Sequence, residues 1–362
     1  MKLLHVCDSI IGGTGSYLAE LLPLQAAQYG PNNISLLMPQ QHTSYLERRV
    51  RESEIDILTF ERNSRLHGMA SLARVYASLD RRKYDIIHAH SFGAGVISRL
   101  IPKSAPIVFC PHGWSFDMEI AGMVRRLVEL GERMLASRAD RIVLISPHEE
   151  RLALRAGIDK GKLRTIVNGI APAGSDMAPA SWDDERLKLL FVGRFDPQKG
   201  LDILLEAIAP LDDIATLRIV GAHAISSGLT ATDLPDHVSI LGWLSREKVA
   251  AQMAAADLLV VPSRWEGFGL VAIEAMRLGT AVMASNVGGL ADILDGGKYG
   301  FPVPPGNVAA WQAAIRGLDP AEISRRAIAG QKRFHEFYSA ERMAEETALI
   351  YRELIPSRSG EP

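Results

Sequence analysis

The 362-residue chain lacks the features of a secreted, membrane-spanning or nucleic-acid-binding protein. Its two cysteines, Cys7 and Cys110, are too few for a disulfide framework, and we expect both to be reduced and buried. No apolar run approaches the ~18 residues that a membrane-spanning helix needs. The formal net charge of −2 excludes the strongly basic surface that is typical of nucleic-acid-binding proteins.

The start of the chain and its composition indicate a globular protein with more than one core. The sequence begins Met-Lys-Leu-Leu-His-Val and enters a strand-like run at once, so we expect no signal peptide and a cytoplasmic location. Hydrophobic residues make up 47% of the chain and charged residues 23%, which is ordinary for a packed globular fold. A chain of this length predicts two domains.

Short apolar runs alternate with longer helical patterns, which is the rhythm of doubly wound parallel sheets. The rhythm lapses at Ala171–Asp184, which we interpret as a linker, and then restarts. We therefore predict one Rossmann-like domain over residues 1–175, joined by a C-terminal helix within 339–362, and a second over residues 176–338. The predicted strands are Lys2–Asp8, Ile34–Met38, Ile55–Leu58, Asp85–Ala89, Ile107–Cys110, Arg141–Ile145 and Arg164–Val167, then Leu187–Val192, Thr216–Val220, His237–Leu241, Leu258–Val261 and Thr280–Ala284.

Two glycine-containing loops follow predicted strands and precede predicted helices. Gly12 and Gly13 open the first loop, where backbone N–H groups and a helix N-terminus favour an anion, although a tight turn alone explains the pattern as well. The spacing is not the dinucleotide fingerprint. In the second loop, Arg194 and Lys199 lie five residues apart, and two converging cations suit a diphosphate.

The segment from Pro262 to Met276 is the most specific signal in the chain. Glu266 lies before a predicted helix and Glu274 lies in its second turn, with a Gly-Phe-Gly turn between them. Carboxylates can each grip two sugar hydroxyls, and the N–H groups of Phe268, Gly269 and Leu270 are expected to be free at the helix start. A second interpretation is that Glu274 simply faces water on an amphipathic helix.

Taken together, these motifs resemble the retaining glycosyltransferases of family 4, also called group 1, which have the GT-B fold of two Rossmann-like domains. The resemblance covers nearly the whole chain. It rests on Gly12-Gly13, Pro111-His112-Gly113, Ile145-Ser146, Asn168-Gly169, Gly193-Arg194 with Lys199-Gly200, Glu266–Leu270 with Glu274-Ala275-Met276, and Gly288-Gly289. Departures occur at Thr14, Ala171 and Thr280-Ala281, and none of them touches the donor-diphosphate residues.

The resemblance implies transfer of a sugar from a nucleoside diphosphate to an acceptor hydroxyl, with retention, in polysaccharide or glycolipid biosynthesis. The implied catalytic residues are His112, Arg194, Lys199 and Glu266. The implied donor-binding residues are Gly12, Gly13, Arg194, Lys199, Glu266, Phe268, Gly269, Leu270 and Glu274. His112 would contact the sugar, as an acid-base or, by preference, as a hydrogen-bond donor. We further expect His90 to face the cleft and His88 to be packing.

We expect no metal and no cofactor, since the Asp-x-Asp motif of metal-dependent sugar transferases is absent. The expected partners are a nucleotide-sugar donor and a carbohydrate or lipid-linked acceptor, with no nucleic acid. Two alternatives stay open: a sugar-nucleotide epimerase of the same fold, and a non-catalytic nucleotide-binding scaffold. A dinucleotide-dependent oxidoreductase is disfavoured, because the fingerprint is missing.

A basic amphipathic pattern at Arg62–Lys83 raises the question of membrane contact. Apolar side chains recur at helical spacing among six cations in this segment. The pattern fits peripheral contact with anionic lipid at the inner face of the cell membrane. It fits equally a helix that packs on the core and exposes a basic face to water.

Overall fold

The computed structural model describes residues 1–117, 121–174, 178–221 and 234–355. The chain divides into two compact units, the first comprising Met1–Ala171 with Ser339–Pro362 and the second comprising Pro172–Tyr338. Each unit is a parallel β-sheet flanked by helices, as the alternation of short apolar runs and helical patterns predicts.

Unit 1 contains a seven-stranded parallel sheet in the order β3-β2-β1-β4-β5-β6-β7. Its strands are β1 (Leu3–Cys7), β2 (Ile34–Pro39), β3 (Asp56–Phe60), β4 (Ile86–His90), β5 (Ile107–Cys110), β6 (Arg141–Leu144) and β7 (Leu163–Thr165). Its helices are α1 (Gly13–Tyr29), α2 (Arg48–Glu52), α3 (Arg65–Ser78), α4 (Ser91–Leu100), α5 (Gly122–Ala136), α6 (Pro147–Arg155) and α13 (Ala340–Leu354). The strands β1, β2, β4 and β5 are buried along their whole length, because helices cover both faces.

Unit 2 contains a six-stranded parallel sheet in the order β10-β9-β8-β11-β12-β13. Its strands are β8 (Leu187–Val192), β9 (Ala215–Val220), β10 (Val238–Gly242), β11 (Leu258–Val261), β12 (Ala281–Ser285) and β13 (Phe301–Val303). Its helices are α7 (Leu201–Ile208), α8 (Arg246–Ala255), α9 (Leu270–Arg277), α10 (Gly288–Leu294), α11 (Val308–Arg316) and α12 (Pro320–Phe337). The core is built from aliphatic strand residues and the inner faces of α7 and α11.

The strand order places a topological switch point in each sheet. In unit 1 the chain leaves β1 in one direction and returns to β4 on its other side, and in unit 2 the same happens between β8 and β11. Loops at the carboxyl ends of the strands diverge at such a point and leave a crevice, where parallel α/β sheets bind ligands. The glycine, arginine and glutamate motifs all follow these strands.

The structure resolves the two interpretations of the Arg62–Lys83 segment. The apolar side chains of α3 turn inward: Leu72 is fully buried, and Met69, Val75 and Leu79 pack against the core of unit 1. Only Leu66 is largely exposed. For α3 the structure favours the second interpretation, because the core covers most of its apolar side, and membrane contact of the protein stays a prediction. Cys7 and Cys110 are both buried and unpaired, as expected.

Candidate active site

The cation loop, which we define as residues 193–200, follows the central strand β8. Asp196 begins a short 3-10 turn at Pro197–Lys199, and its carboxylate accepts from the Lys199 backbone N–H at 3.2 Å. The same carboxylate pairs with the Arg194 guanidinium at 2.9 Å. Arg194 also donates to the Gln198 amide at 3.4 Å. The loop thus holds its arginine by contacts within itself.

The glutamate loop, which we define as residues 262–269, follows the neighbouring strand β11 and ends where α9 begins. Gly269 is the N-cap of α9, with its backbone in the left-handed region, and as a glycine it has no side chain to cap the helix. The first-turn N–H groups of α9 point out of its N-terminus, and the N-cap residue accepts from none of them through a side chain. The Phe268 side chain is buried against Tyr338, so Phe268 can offer a ligand only its backbone.

Lys199 and Glu266 join the two loops, although they are 67 residues apart in the sequence. The Lys199 ammonium lies 2.5 Å from a carboxylate oxygen of Glu266, and both side chains are largely buried. Gln198 reinforces the junction, because its carbonyl accepts from the Arg264 N–H at 2.8 Å and its amide donates to the Trp265 carbonyl at 3.2 Å. The loops form one surface at the switch point of unit 2.

These ion pairs modify the expectation from the sequence. The sequence predicts two converging cations that suit a diphosphate, but each already has a carboxylate partner, Asp196 for Arg194 and Glu266 for Lys199. The argument for a diphosphate therefore rests on position: both cations lie on the loop after β8, and Lys199 contacts the loop that leads into α9. Glu274 is half-buried in the second turn of α9.

The remaining predicted residues belong to unit 1. Gly12 lies at the end of the loop after β1 with a φ of 89° and caps α1, and Gly13 is the first residue of that helix. No acidic residue lies in the first turn of α1, and its N-cap, Gly12, has no side chain to cap it. The α1 N-terminus therefore has the positive end of a helix dipole, which favours an anion.

His112 lies in the loop after β5, and its backbone is in the left-handed region with a φ of 53°. A conformation of this kind is costly for a residue with a side chain. The buried carboxylate of Glu149 stabilises the loop, because it accepts from the backbone N–H groups of Gly113 at 2.5 Å and Ile145 at 3.0 Å. Burial raises the pKa of Glu149 to about 8. The loop geometry around His112 is thus fixed by a distant side chain.

Three further histidines extend inward from His112. His90 is fully buried, so the expectation that it faces a cleft is wrong; it reaches the loop only through a 3.0 Å contact with the His112 ring. His5 contacts His90 at 2.9 Å, and His88 is also fully buried. Burial lowers the pKa of His112 to about 3 and that of His5 to about 4. It lowers the pKa values of His88 and His90 as well, with help from neighbouring histidines.

Sequence reasoning missed Glu149, Asp196 and Gln198. Two of them had local signals: Ser146-Pro147-His148-Glu149 and Asp196-Pro197 are helix-start patterns, in which an acceptor side chain precedes proline. Ser146 does cap α6, accepting from the Glu149 N–H at 3.2 Å. The tertiary contacts of Glu149 and Gln198 leave no such pattern.

Comparison with known proteins places this geometry in a family. Residues 12–169 match the glycosyl transferase 4-like domain, and residues 175–333 match the glycosyl transferases group 1 model. A D-inositol 3-phosphate glycosyltransferase from Rhodococcus opacus is 30% identical over 315 residues, which cover 78% of this chain and 70% of that protein. The chain belongs to the group 1 glycosyltransferases.

Other relatives of this glycosyltransferase differ in length and in what is known of them. An uncharacterized 41.2 kDa protein in the cps region of Klebsiella pneumoniae is 29% identical over 84% of this chain and 86% of that protein. The chain spans only 65% of the length of the matching D-inositol 3-phosphate glycosyltransferase from a Mycobacterium strain. Anabaena Alr3699/HepE, solved in complex with UDP-glucose, matches the fold with a TM-score of 0.82 at 21% identity, over 98% of this chain and 100% of that one.

Gly288 tests how closely the candidate site depends on packing between loops. It has a φ of +51°, and a Cβ added there would overlap the carbonyl oxygen of Glu266. We expect Gly288→Ala to displace the glutamate loop, to lower stability by ~1–3 kcal/mol and to weaken nucleoside diphosphate binding. Gly296→Ala is the matched control, since Gly296 has a φ of +63° but open space around its Cβ position. Equal binding by the two variants in calorimetric titration would contradict this prediction.

Proposed function

We propose that the protein transfers a sugar from a nucleoside diphosphate to an acceptor hydroxyl, with retention of configuration at the anomeric carbon. The observation that carries the proposal is the junction of the cation loop and the glutamate loop through Lys199 and Glu266, beside the open N-terminus of α9. The similarity to a protein solved with UDP-glucose supports this class of donor.

In this proposal, the cation loop and α9 act on the leaving group. Negative charge grows on the diphosphate as its bond to the anomeric carbon breaks. Arg194, Lys199 and the α9 N–H groups would stabilise that charge from fixed positions, and one such donor is typically worth ~3 kcal/mol, or a factor of ~10²–10³. Because Lys199 and Arg194 are held by carboxylates before the donor arrives, little reorganisation is needed when it binds.

Retention requires that the acceptor approach the face that the diphosphate leaves. The acceptor oxygen forms its bond to the anomeric carbon, and its proton passes to the departing diphosphate oxygen. A covalent route would need a free carboxylate as nucleophile. The Glu266 carboxylate is paired with Lys199 at 2.5 Å, which suits it to holding the sugar rather than attacking it.

The proposed reaction uses no metal ion and no cofactor. Two side-chain cations and a helix N-terminus supply the positive charge that Mg²⁺ supplies in Asp-x-Asp enzymes, and the sequence has no Asp-x-Asp. Turnover that survives dialysis against EDTA is the expected result. Activity that is lost with EDTA and restored by Mg²⁺ would refute this part of the proposal.

The function is tested by a thermal-shift screen of UDP, GDP and ADP, followed by product analysis with the best-binding sugar nucleotide. A ligand at 100 times its Kd should add ~2.7 kcal/mol of stability. Formation of a glycoside that depends on an added acceptor is the expected result. Conversion of the sugar nucleotide without an acceptor would indicate an epimerase, and tight binding with no product would indicate a scaffold.

A lipid-linked acceptor would require contact with a membrane, and α5 offers a suitable surface. Among the described residues, no helix is long and apolar enough to cross a bilayer. On α5, however, apolar side chains at helical spacing face outward: Met123 is 78% exposed, Leu127 65%, Leu130 53% and Met134 67%. The opposite side is anchored by the buried pair of Glu132 with Arg99 on α4, at 2.9 Å. The outward face is therefore not free to turn into the core.

Arg126 and Arg133 are exposed and lie seven residues apart along one edge of this apolar face. An apolar stripe bordered by arginine is typical of helices that lie in the headgroup region of anionic bilayers. We propose that α5, rather than α3, docks the protein reversibly on anionic lipid. Each Arg near such a surface contributes about 1 kcal/mol, so binding should weaken with salt.

Vesicle sedimentation tests the docking. We expect binding to vesicles that contain phosphatidylglycerol and little binding to phosphatidylcholine alone. Leu127→Ser with Leu130→Ser should reduce the bound fraction more than tenfold, because each buried leucine is worth ~1.5–3 kcal/mol. Ile328→Ser is the control, since Ile328 is 71% exposed on α12 of unit 2. Equal loss in the control and the double variant would refute the role of α5.

A further inference from the structure

Four polar side chains of unit 1 form a continuous chain of hydrogen bonds that ends at His112. It starts at Gln25 on α1, whose amide oxygen lies 2.8 Å from His5 Nε2. His5 Nδ1 lies 2.9 Å from His90 Nε2, and His90 Nδ1 lies 3.0 Å from His112 Nε2. Gln25, His5 and His90 are each almost fully buried, so water cannot substitute for a missing partner.

The orientation of the Gln25 amide is fixed by Tyr351 on α13. The Tyr351 hydroxyl lies 2.6 Å from His88 Nδ1, and we assign the phenol as the donor and the neutral, buried His88 ring as the acceptor. With its proton directed at His88, Tyr351 accepts from the Gln25 amide nitrogen at 3.3 Å. The amide oxygen of Gln25 consequently faces His5.

An amide oxygen can only accept a hydrogen bond, and this sets the direction of donation in every hydrogen bond from Gln25 to His112. His5 must carry its proton on Nε2 to donate to Gln25. Burial keeps His5 neutral, so its Nδ1 is bare and accepts from Nε2–H of His90. By the same reasoning His90 Nδ1 accepts from Nε2–H of His112. All three rings are then the Nε2–H tautomer.

We propose that Gln25 is a positioning residue that fixes the tautomer of His112 through His5 and His90. This inference rests on the proposed function, in which His112 contacts the transferred sugar. His112 then presents a lone pair at Nδ1 and accepts from a sugar hydroxyl. That reverses the preference from the sequence, in which His112 was expected to donate.

A metal site is the competing explanation of the histidine cluster. Ligand atoms of His5, His88 and His90 lie within 4.8 Å of one another, as do those of His90, Cys110 and His112. The nitrogens of His5 and His90 that face each other at 2.9 Å are already joined by one proton. A metal ion bound by His5 and His90 through these nitrogens would have to displace that proton and break the row at this link.

Two variants separate the tautomer effect from packing. Gln25→Met keeps the side-chain volume but removes the acceptor at His5, so the row can adopt either direction of donation. Gln25→Glu is the conservative rescue, because a protonated carboxyl accepts from His5 and donates to Tyr351 as the amide does. Long-range ¹H–¹⁵N correlation spectra of ¹⁵N-histidine-labelled protein report the tautomer of each ring independently of activity.

In the parent protein we expect His5, His90 and His112 all as the Nε2–H tautomer. In Gln25→Met we expect the Nδ1–H tautomer of His112 to appear and kcat to fall by about tenfold, with KM for the donor nearly unchanged, because the lost contact is made at the reacting sugar. Gln25→Glu should recover the parent tautomer and most of kcat.

Several results would overturn the proposal. One such result is a spectrum of the parent protein that shows His112 as the Nδ1–H tautomer or as imidazolium. Another is a set of ¹⁵N shifts typical of metal-bound nitrogens that disappears when a chelator is added. Both measurements use the parent protein, so neither depends on whether a variant folds. A changed tautomer with unchanged kcat would remove the link to catalysis. An intact tautomer pattern in a protein that turns over no sugar nucleotide would leave the hydrogen-bonded row standing and would refute the proposed function instead.

Discussion

Replacing Lys199 with alanine is expected to lower kcat by a factor of about 10²–10³ and to weaken nucleoside diphosphate binding as well. The variant removes a cation from the leaving group, and it also leaves the Glu266 carboxylate without its partner at 2.5 Å. An unpaired carboxylate beside the developing negative charge would add to the loss. Arg194→Ala should act in the same direction, since Arg194 lies on the same loop.

The double variant Lys199→Ala with Glu266→Gln separates the two contributions. If part of the loss comes from the unpaired Glu266 carboxylate, the double variant should recover some binding relative to Lys199→Ala alone. With Glu266→Gln measured as the second single variant, the coupling energy quantifies that part. Lys332→Ala is the matched control, because the Lys332 side chain is 78% exposed on α12. Steady-state kinetics and calorimetric titration with nucleoside diphosphate supply both quantities.

Glu274→Ala is expected to affect binding and turnover differently from Lys199→Ala and Arg194→Ala. On the proposed assignment Glu274 holds the ribose, which does not change during transfer, so its loss should weaken nucleotide binding more than it slows the saturated step. Some decrease in kcat is compatible with this, because remote contacts also orient the reacting centre. Suppose instead that Arg194→Ala and Lys199→Ala bind and turn over like the parent protein. The diphosphate assignment would then be wrong, and with it the proposed chemistry.

The strands of both units could be predicted from the sequence because parallel strands covered on both faces are short, continuous apolar runs. Ile107–Cys110, Leu187–Val192 and Leu258–Val261 have the predicted bounds. The strand Phe301–Val303 was missed, since it is three residues long and contains Pro302, which cannot donate within a sheet. It lies at the edge of the unit 2 sheet, where proline is tolerated.

Amphipathic patterns showed which helices have an apolar face but not what covers it. The apolar faces of α3 and α5 look alike in the sequence, yet α3 turns Leu72 into the core while α5 turns Leu127 outward. The difference depends on a tertiary contact, the buried pair of Arg99 with Glu132, which orients α5. A contact between residues this far apart leaves no periodic signal.

The sequence predicted which loops carry the residues of the candidate site, but it did not predict which side chains pair with each other. That Lys199 and Glu266 follow neighbouring strands could be inferred from the β/α order, because loops at the carboxyl ends of adjacent parallel strands lie side by side. That they form a direct ion pair could not, because side-chain directions in the two loops depend on Gln198 and on turn geometry. The same holds for His5 and Gln25, which no motif connects.

The buried histidines should make unit 1 unusually sensitive to acid. Burial depresses the pKa of His5 to about 4 and that of His112 to about 3, and it lowers those of His88, His90 and His42. Below pH 6.5 the unfolded chain takes up protons at these positions and the folded unit does not. The contribution of these neutral histidines to the stability of unit 1 is therefore fully present above pH 6.5 and is lost as the pH falls toward 4 and below.

Two carboxyl groups oppose this trend. Burial raises the pKa of Glu149 to about 8 and also raises that of Asp8, so the folded unit retains their protons in the range where the unfolded chain releases them. The histidines determine the sign of the net pH dependence, because they outnumber these two carboxyl groups. We expect unfolding between pH 5 and 6.5 to be accompanied by a net uptake of protons, and each net proton changes the unfolding free energy by about 1.4 kcal/mol per pH unit.

Urea unfolding across this pH range measures the effect, and Trp114 reports on unit 1 because the other four tryptophans belong to unit 2. His88→Asn is the informative variant: its amide oxygen can still accept from Tyr351, while one titrating group is gone. At pH 7.5 the variant should be less stable than the parent protein, because a large ring is lost from the core. Toward pH 5 the difference should shrink or reverse, since the variant takes up one proton fewer on unfolding. Parallel plots of unfolding free energy against pH for the two proteins would show that His88 is already charged in the folded unit.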